Sequence, residues 1–169
     1  MDEFKEFQCI LEQYANAYKA FEEMQNKISF IPRKGDQKTG VIGEAYIFKY
    51  LIECGYADVE FGNASQQSWD IRYREDAKSK KYETIQVKTV SDYSDGYISH
   101  IRPGFDILYL VKLNKNFYPV QILKVTTKGD WPDMKHKAFP KKNFTLKKQK
   151  FNTMDVTKEL MEKLNMKTT

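Results

Sequence analysis

The sequence contains very little cysteine and histidine, with two residues of each among 169. Cys9 and Cys54 are far apart and lack the spacing of metal ligands, so we expect two packed thiols. His100 and His136 are likewise isolated, without a pattern of Cys, His or Asn partners nearby. These absences argue against a zinc site and against catalysis built on histidine.

Long apolar runs are also missing, since no stretch approaches the roughly 20 residues that span a membrane. The acidic start Met1-Asp2-Glu3-Phe4 does not resemble a signal peptide. With 41% hydrophobic and 30% charged residues, the composition is typical of a folded, soluble protein. We therefore expect a single domain covering residues 1–169, located in the cytoplasm and without membrane contact.

Three segments have the three-and-four spacing of apolar residues that predicts amphipathic helices. They are residues 2–27, residues 39–55 and residues 155–166. Between the first two, residues 28–38 contain proline, glycine and three basic side chains, which predicts a loop. The first helix carries no chemical motif, and we interpret it as packing support or a dimer face.

The middle of the chain shows the alternation or the short apolar runs of β-strands. The predicted strands are residues 57–62, 68–73, 83–90, 105–111 and 118–123. The stretch between residues 90 and 104 is rich in turn-forming residues, so it is expected to be a loop or a single helical turn.

The second and third predicted strands should form an antiparallel hairpin with its turn near residue 78, so that residue 71 faces 85 and residue 70 faces 86. Because side chains alternate, this register gives one apolar and one polar face. The apolar face comprises Trp69, Ile71, Ile85 and Val87, and the polar face Asp70, Gln86 and Lys88. Lys88 is diagonal to Asp70 at about 7–8 Å, a gap that fits a hydrated cation or a phosphate. The alternative is a plain amphipathic hairpin with a surface ion pair that contributes about 0.2–1 kcal/mol.

Glu44 lies on the same stripe of the second helix as Ile47, Phe48 and Leu51. An unpaired buried charge costs several kcal/mol, so this carboxylate needs a partner. The helix dipole alone would supply about 0.3–1 kcal/mol, which does not cover full burial. We infer that Glu44 borders a polar cavity that is also lined by the hairpin.

A helix bearing Gly43-Glu44, then Asp70, then fifteen residues and Gln86-Val87-Lys88 resembles the PD-(D/E)xK nuclease superfamily, which has the restriction-endonuclease-like fold. The two trailing strands extend the resemblance over about residues 39–125. In two places the sequence departs from the motif. Trp69 stands in place of the proline, and Gln86 stands in place of the second acid, which removes a negative charge from the metal site.

The resemblance implies an α/β (α+β) fold with a mixed central sheet flanked by helices. The core would span about residues 39–125, preceded by a helical segment, 1–38, and followed by a basic segment with a C-terminal helix, 126–169. The implied activity is magnesium-dependent hydrolysis of DNA by a homodimer, as in a small type II restriction endonuclease with a cognate DNA methyltransferase encoded nearby. A junction resolvase, a repair nuclease and a homing endonuclease are alternatives of the same fold. A DNA-binding protein that does not cut is the alternative from another class.

The resemblance also assigns roles to the motif residues. Glu44, Asp70, Gln86 and Lys88 would be catalytic, and Mg²⁺ would bind Asp70, Gln86, the main chain of Val87 and Glu44, with Mn²⁺ as a substitute. Magnesium prefers such hard oxygen ligands and lowers the pKa of bound water. Lys88 would stabilise the negative charge of the transition state.

Contacts with DNA are expected from two regions. Residues 134–150 carry seven lysines and no acid in a chain of net charge +5, which suits phosphate contacts, although a solvated lysine-rich surface is the alternative. Loops beside the site, including residues 128–133 with Trp131, would contact the bases. The predicted DNA-binding residues are Gln66, Gln67, Ser91, Tyr93, Arg102, Lys128, Lys135, Lys137, Lys141, Lys142, Lys147 and Lys148.

Overall fold

A computed structural model describes residues 3–27, 38–62, 68–135, 137–146 and 149–166. Its helices are α1 (Glu3–Lys27), α2 (Lys38–Glu53) and α3 (Thr157–Lys163). All three were predicted from apolar periodicity, although α3 is shorter than predicted because Asp155 belongs to a strand. The predicted loop at 28–38 lies almost entirely outside the described residues. None of the described helices combines the length and the apolar character that a membrane span requires.

Ten strands are present in the described part of the chain. They are β1 (Ala57–Phe61), β2 (Ile71–Arg74), β3 (Glu83–Ser91), β4 (Tyr97–Ile98), β5 (Ile107–Leu113), β6 (Pro119–Thr126), β7 (Lys137–Ala138), β8 (Thr145–Leu146), β9 (Gln149–Lys150) and β10 (Asn152–Asp155). Six of them form a mixed sheet in the order β1-β2-β3-β5-β6-β10. Within it, β3 and β5 are parallel and every other neighbouring pair is antiparallel. The fold is therefore mixed α and β, as expected.

The sheet is covered differently on its two faces. Apolar side chains of all three described helices pack on one face, together with alternate residues of β5 such as Ile107, Tyr109 and Val111. The other face buries Leu108 and Leu110 under loops and short strands, without a described helix. Helices thus flank one face of the sheet rather than both, because the connection from β3 to the parallel strand β5 is not helical.

The connection between β3 and β5 is a turn, the short strand β4 and a loop. The prediction that residues 90–104 contain no full helix is confirmed, while the pairing of β4 with β7 was not foreseen. An isolated bridge between Ile101 and Met134 and a contact of 2.5 Å between His100 Nε2 and Asp133 Oδ1 tie the same connection to the basic segment. The basic segment is therefore anchored on the face opposite the helices.

The hairpin register is confirmed from Ile71, which pairs with Ile85, to Tyr73, which pairs with Glu83, whereas the predicted pairing of residue 70 with residue 86 is not part of the ladder. The predicted position of Trp69 is wrong. Ile71, Ile85 and Val87 belong to the apolar cluster under the helices, whereas Trp69 packs against the cluster on the opposite face. Strand alternation does not extend to Trp69 because β2 begins only at Ile71.

Candidate active site

The candidate site lies where β2 begins and the neighbouring edge of β3 loses its strand partner. Asp70 occupies this position: its main-chain N–H donates to the Ile85 carbonyl at 2.7 Å. Its side chain then replaces the missing strand, because Asp70 Oδ2 accepts the Val87 N–H at 2.7 Å. The carboxylate is thereby fixed against the edge of β3.

Val87 contributes through its main chain. Its N–H points to the side of β3 that faces Asp70, before the first residue of β2. In a strand the N–H and C=O of one residue point the same way. The Val87 carbonyl therefore faces the Asp70 side as well, where the Gln86 side-chain amide approaches it at 3.5 Å. This carbonyl oxygen therefore lies beside the carboxylate.

Gln86 is almost fully buried, with 5% of its surface exposed. Its Nε2 group donates a hydrogen bond to the same oxygen of Asp70, Oδ2. Both N–H donors thus converge on one carboxylate oxygen, and Oδ1 is the oxygen left for a cation. For Gln86 itself to serve as an oxygen ligand, its amide must rotate so that Oε1 replaces Nε2.

Glu44 is brought to the site by a close approach of α2 to β3. A Cβ atom on Gly43 would lie 2.0 Å from Thr89 Oγ1, so glycine is required for the helix to pack at this distance. The next residue, Glu44, is then close enough to Asp70 and Lys88 for electrostatic interaction. Burial and, to a smaller extent, the negative charge of Asp70 raise the pKa of Glu44 to about 7, while Lys88 acts in the opposite direction.

The pKa of Asp70 is also raised, mainly by burial, although the Val87 N–H, the Lys88 charge and the Gln86 amide oppose the shift. Of the two carboxyl groups, Asp70 holds these compensating contacts. The charge of Asp70 in turn contributes to the raised pKa of Glu44. Two partly buried carboxyl groups that repel each other are the arrangement that a divalent cation would stabilise.

Lys88 is the third charged side chain of the candidate site, after Glu44 and Asp70. Burial lowers the pKa of its ammonium, and the nearby carboxylates of Asp70 and Glu44 only partly offset this effect. Arg102 contributes a smaller shift in the same downward direction as burial, which places its guanidinium within electrostatic range of Lys88. The loop that carries Arg102 is close to the hairpin, because a Cβ on Gly104 would lie 2.7 Å from the Ser68 side chain.

The donor set fits a hard divalent cation. Among the described residues there is no group of three or more His, Cys, Asp and Glu side chains placed to hold a metal. The available oxygens come instead from the carboxylates of Glu44 and Asp70, the Val87 carbonyl and, after rotation, the Gln86 amide. Magnesium accepts such a small protein ligand set, since it retains several of its waters.

The residues predicted to contact DNA differ in their position and in their exposure to solvent. Of these, Arg102 lies near the site, while Lys128, Lys135, Lys141 and Lys142 are exposed. Lys137 is partly buried, with Nζ 4.9 Å from the centre of the Phe144 ring, and burial lowers its pKa. Gln66, Gln67, Lys147 and Lys148 lie outside the described residues.

Three of the residues predicted to contact bases make contacts within the fold. Ser91 is buried, and its hydroxyl accepts the Tyr93 N–H within a turn. Tyr93 packs on the helical side against Tyr18, with ring centres 4.5 Å apart. Trp131 is 7% exposed and donates its indole N–H to the Asp106 carbonyl, so it belongs to the core. Ser91 and Trp131 are therefore buried within the fold, whereas Tyr93 remains partly exposed.

One feature near the site was missed from the sequence. The Arg72 guanidinium carbon lies 4.6 Å from the centre of the Tyr82 ring and 5.8 Å from that of Trp69. The alternation of β2 could have placed Arg72 on the polar face, but the two aromatic partners lie outside the described strands.

No protein-family model matches this sequence, and no curated protein is significantly similar to it.

Proposed function

We propose that this protein is a magnesium-dependent endonuclease that hydrolyses phosphodiester bonds of double-stranded DNA. The observation that carries the proposal is the convergence of Glu44, Asp70, Gln86 and Lys88 at one sheet edge. The partly buried carboxyl groups and ammonium interact electrostatically, although they come from a helix, a loop and a strand. A surface ion pair would not require the burial of all three.

The order of elements supports the restriction-endonuclease-like fold as the finer description. The helix with Glu44 precedes an antiparallel meander of β1, β2 and β3, and β5 then returns parallel to β3. Asp70 and Lys88 lie on the central hairpin of this arrangement. The motif and the topology are independent, because the first depends on residue identity and the second on strand pairing.

Each site residue has a distinct part in the proposed reaction. Asp70 is the fixed carboxylate, held by two N–H donors, and Glu44 is the carboxylate whose charge depends on pH. When bound, Mg²⁺ would supply a water of lowered pKa and neutralise charge on the phosphate. The Lys88 ammonium stabilises the negative charge that develops on the phosphoryl oxygens. No covalent intermediate with the protein is needed.

Lysines of the basic segment support DNA as the substrate. Lys135, which is exposed, and Lys137, which is partly buried, lie on the segment that pairs with β4 and bridges to Ile101. This position places them on the same side of the sheet as Arg102. Lysine contacts with phosphates provide affinity without base discrimination.

We propose that two copies act together, since one such site cuts one strand and a two-fold dimer matches a palindromic duplex. Site-specific double-strand cleavage, with a methyltransferase partner encoded nearby, is the activity we favour over resolvase, repair or homing cleavage.

The proposal is tested by calorimetric titration with Mg²⁺ and Mn²⁺, followed by cleavage mapping on plasmid and on branched DNA. We expect binding of either metal, and fixed cut positions on the plasmid. Cleavage confined to the branch point would instead identify a junction resolvase. The absence of both metal binding and cleavage would refute the proposal.

One observation favours a second candidate, a DNA-binding protein that does not cut. The Gln86 amide donates its N–H to Asp70 and thus occupies the carboxylate oxygen with a neutral partner. If this hydrogen bond is stable enough to prevent metal binding, the site serves only to hold the hairpin. DNA binding without any response to Mg²⁺ would establish this alternative.

A further inference from the structure

A cluster of planar side chains surrounds Arg72, two residues after Asp70. The Arg72 guanidinium carbon lies over two aromatic rings, 5.8 Å from the centre of the Trp69 ring and 4.6 Å from that of the Tyr82 ring. We refer to Trp69, Arg72 and Tyr82 as the planar cluster. Both rings are partly exposed, and 40% of the Arg72 side chain is exposed. The planar cluster is therefore accessible at the surface.

The planar cluster lies on the same face of the sheet as Gln86 and Lys88. Arg72 pairs with Thr84 in the hairpin, and side chains of directly opposite residues share a face. Thr84, Gln86 and Lys88 alternate along β3, so Arg72 shares their face. The separation between Thr84 and Lys88 is four residues, or about 13 Å along the strand.

Ion pairs hold the guanidinium groups of this surface in place and neutralise them. Arg72 donates from Nε to Glu60 Oε2 at 2.8 Å. Arg74, whose guanidinium carbon lies 5.8 Å from the centre of the Tyr82 ring, forms an ion pair with Asp58. A phosphate is therefore not the ligand that this surface best attracts. What the surface offers is a set of planar groups, and every nucleobase has a flat face that stacks on aromatic rings and on arginine.

We propose that the planar cluster is a stacking platform for an unpaired nucleobase next to the phosphate to be cut. This inference rests on the proposed function and narrows its substrate class to DNA with a base displaced from the stack near the site. Bases within an intact duplex stack on each other and do not expose their flat faces, so displacement of a base is required.

The test measures binding without metal, so that no cleavage occurs. The probes are a fluorescently labelled duplex with one unpaired thymidine and the same duplex fully paired. Tyr82→Leu keeps the apolar bulk but removes the ring, and Tyr82→Phe keeps the ring. Phe21→Ala, an exposed aromatic residue of α1 that is 47% exposed, is the matched control.

We expect Tyr82→Leu to weaken binding of the bulged duplex by about fivefold or more, the usual contribution of one stacked base. Tyr82→Phe and Phe21→Ala should bind both duplexes as the parent protein does. The salt dependence should not change in Tyr82→Leu, since no phosphate contact is lost. Equal binding of the bulged duplex by Tyr82→Leu and the parent would overturn the inference, and so would an equal loss on both duplexes.

A second measurement on the parent protein covers the case in which Tyr82→Leu does not fold. Trp69 is the partly exposed tryptophan and Trp131 the buried one, so acrylamide quenching reports mainly on Trp69. The bulged duplex should protect this emission and the paired duplex should not; identical protection would overturn the inference.

Cleavage of plasmid without a preference for the bulge would leave the proposed function intact while refuting the platform. A preference for the bulged duplex without any cleavage would instead support the platform and refute the proposed nuclease function.

Discussion

Replacement of Glu44 by Gln should change how stability depends on pH. In the folded protein the pKa of Glu44 is raised to about 7 from 4.5, mainly by burial. Above pH 4.5 an unfolded chain ionises this carboxyl group while the folded protein still holds the proton. The protonated folded state is therefore favoured at low pH, and its advantage is lost as the pH rises through 7. Glutamine carries no charge, so Glu44→Gln avoids this loss.

The size of the effect follows from the shift in pKa. Full conversion at 1.36 kcal/mol per unit gives about 3 kcal/mol. Glu44 is only partly buried, and solvent screening reduces the value, so we expect about 1–2 kcal/mol. The parent protein should lose this amount of stability, relative to Glu44→Gln, between pH 5 and pH 8. Added Mg²⁺ should restore the parent protein at pH 8 and should have a smaller effect on the variant.

Urea unfolding in the presence of a chelator, at a series of pH values, measures the effect directly. Glu53→Gln is the matched control, because Glu53 lies on the same helix and forms an ion pair with Lys49 at 2.7 Å, away from the site. Its stability should follow the pH dependence of the parent. Parallel curves for Glu44→Gln and the parent would refute the reasoning, since they would mean that Glu44 titrates alike in both states.

Three further substitutions test separate parts of the account. Gln86→Glu should tighten Mg²⁺ binding measured by calorimetry, because a third carboxylate replaces an amide; weaker binding would count against a metal site here. Gly43→Ala should cost about 1–3 kcal/mol in thermal unfolding, since the added methyl meets Thr89 Oγ1, and Thr89→Ala should restore part of the loss; unchanged stability would contradict this packing. Lys135→Ala should lower the slope of log affinity for DNA against log salt by about one, whereas Lys158→Ala on α3 should not; equal slopes would remove Lys135 from the interface.

The central hairpin could be predicted because its determinants are local. Alternation in residues 68–73 and 83–90 and the length of the polar turn fix which residues face each other, and the register is as predicted. The stripe of apolar residues on α2 placed Glu44 towards the interior for the same reason.

The failures concern contacts that depend on a single side chain or on very short elements. β2 begins only at Ile71, and before it the Asp70 carboxylate, rather than a strand residue, accepts the Val87 N–H. Trp69 therefore lies on the face of the sheet opposite to the one predicted. The close approach of α2 to β3 at Gly43 depends on a tertiary contact that has no periodic signal. Pairs of two-residue strands such as β4 and β7 are too short for a pattern to appear.

The most direct test of the central claim compares the parent protein with Asp70→Ala and Lys88→Ala on supercoiled plasmid in Mg²⁺. We expect the parent protein to nick or linearise the plasmid, and each variant to lose at least about a hundredfold in rate while still retarding DNA in a gel. Circular dichroism and thermal unfolding establish that both variants are folded. Cleavage by purified, folded Asp70→Ala at the rate of the parent protein would contradict the account.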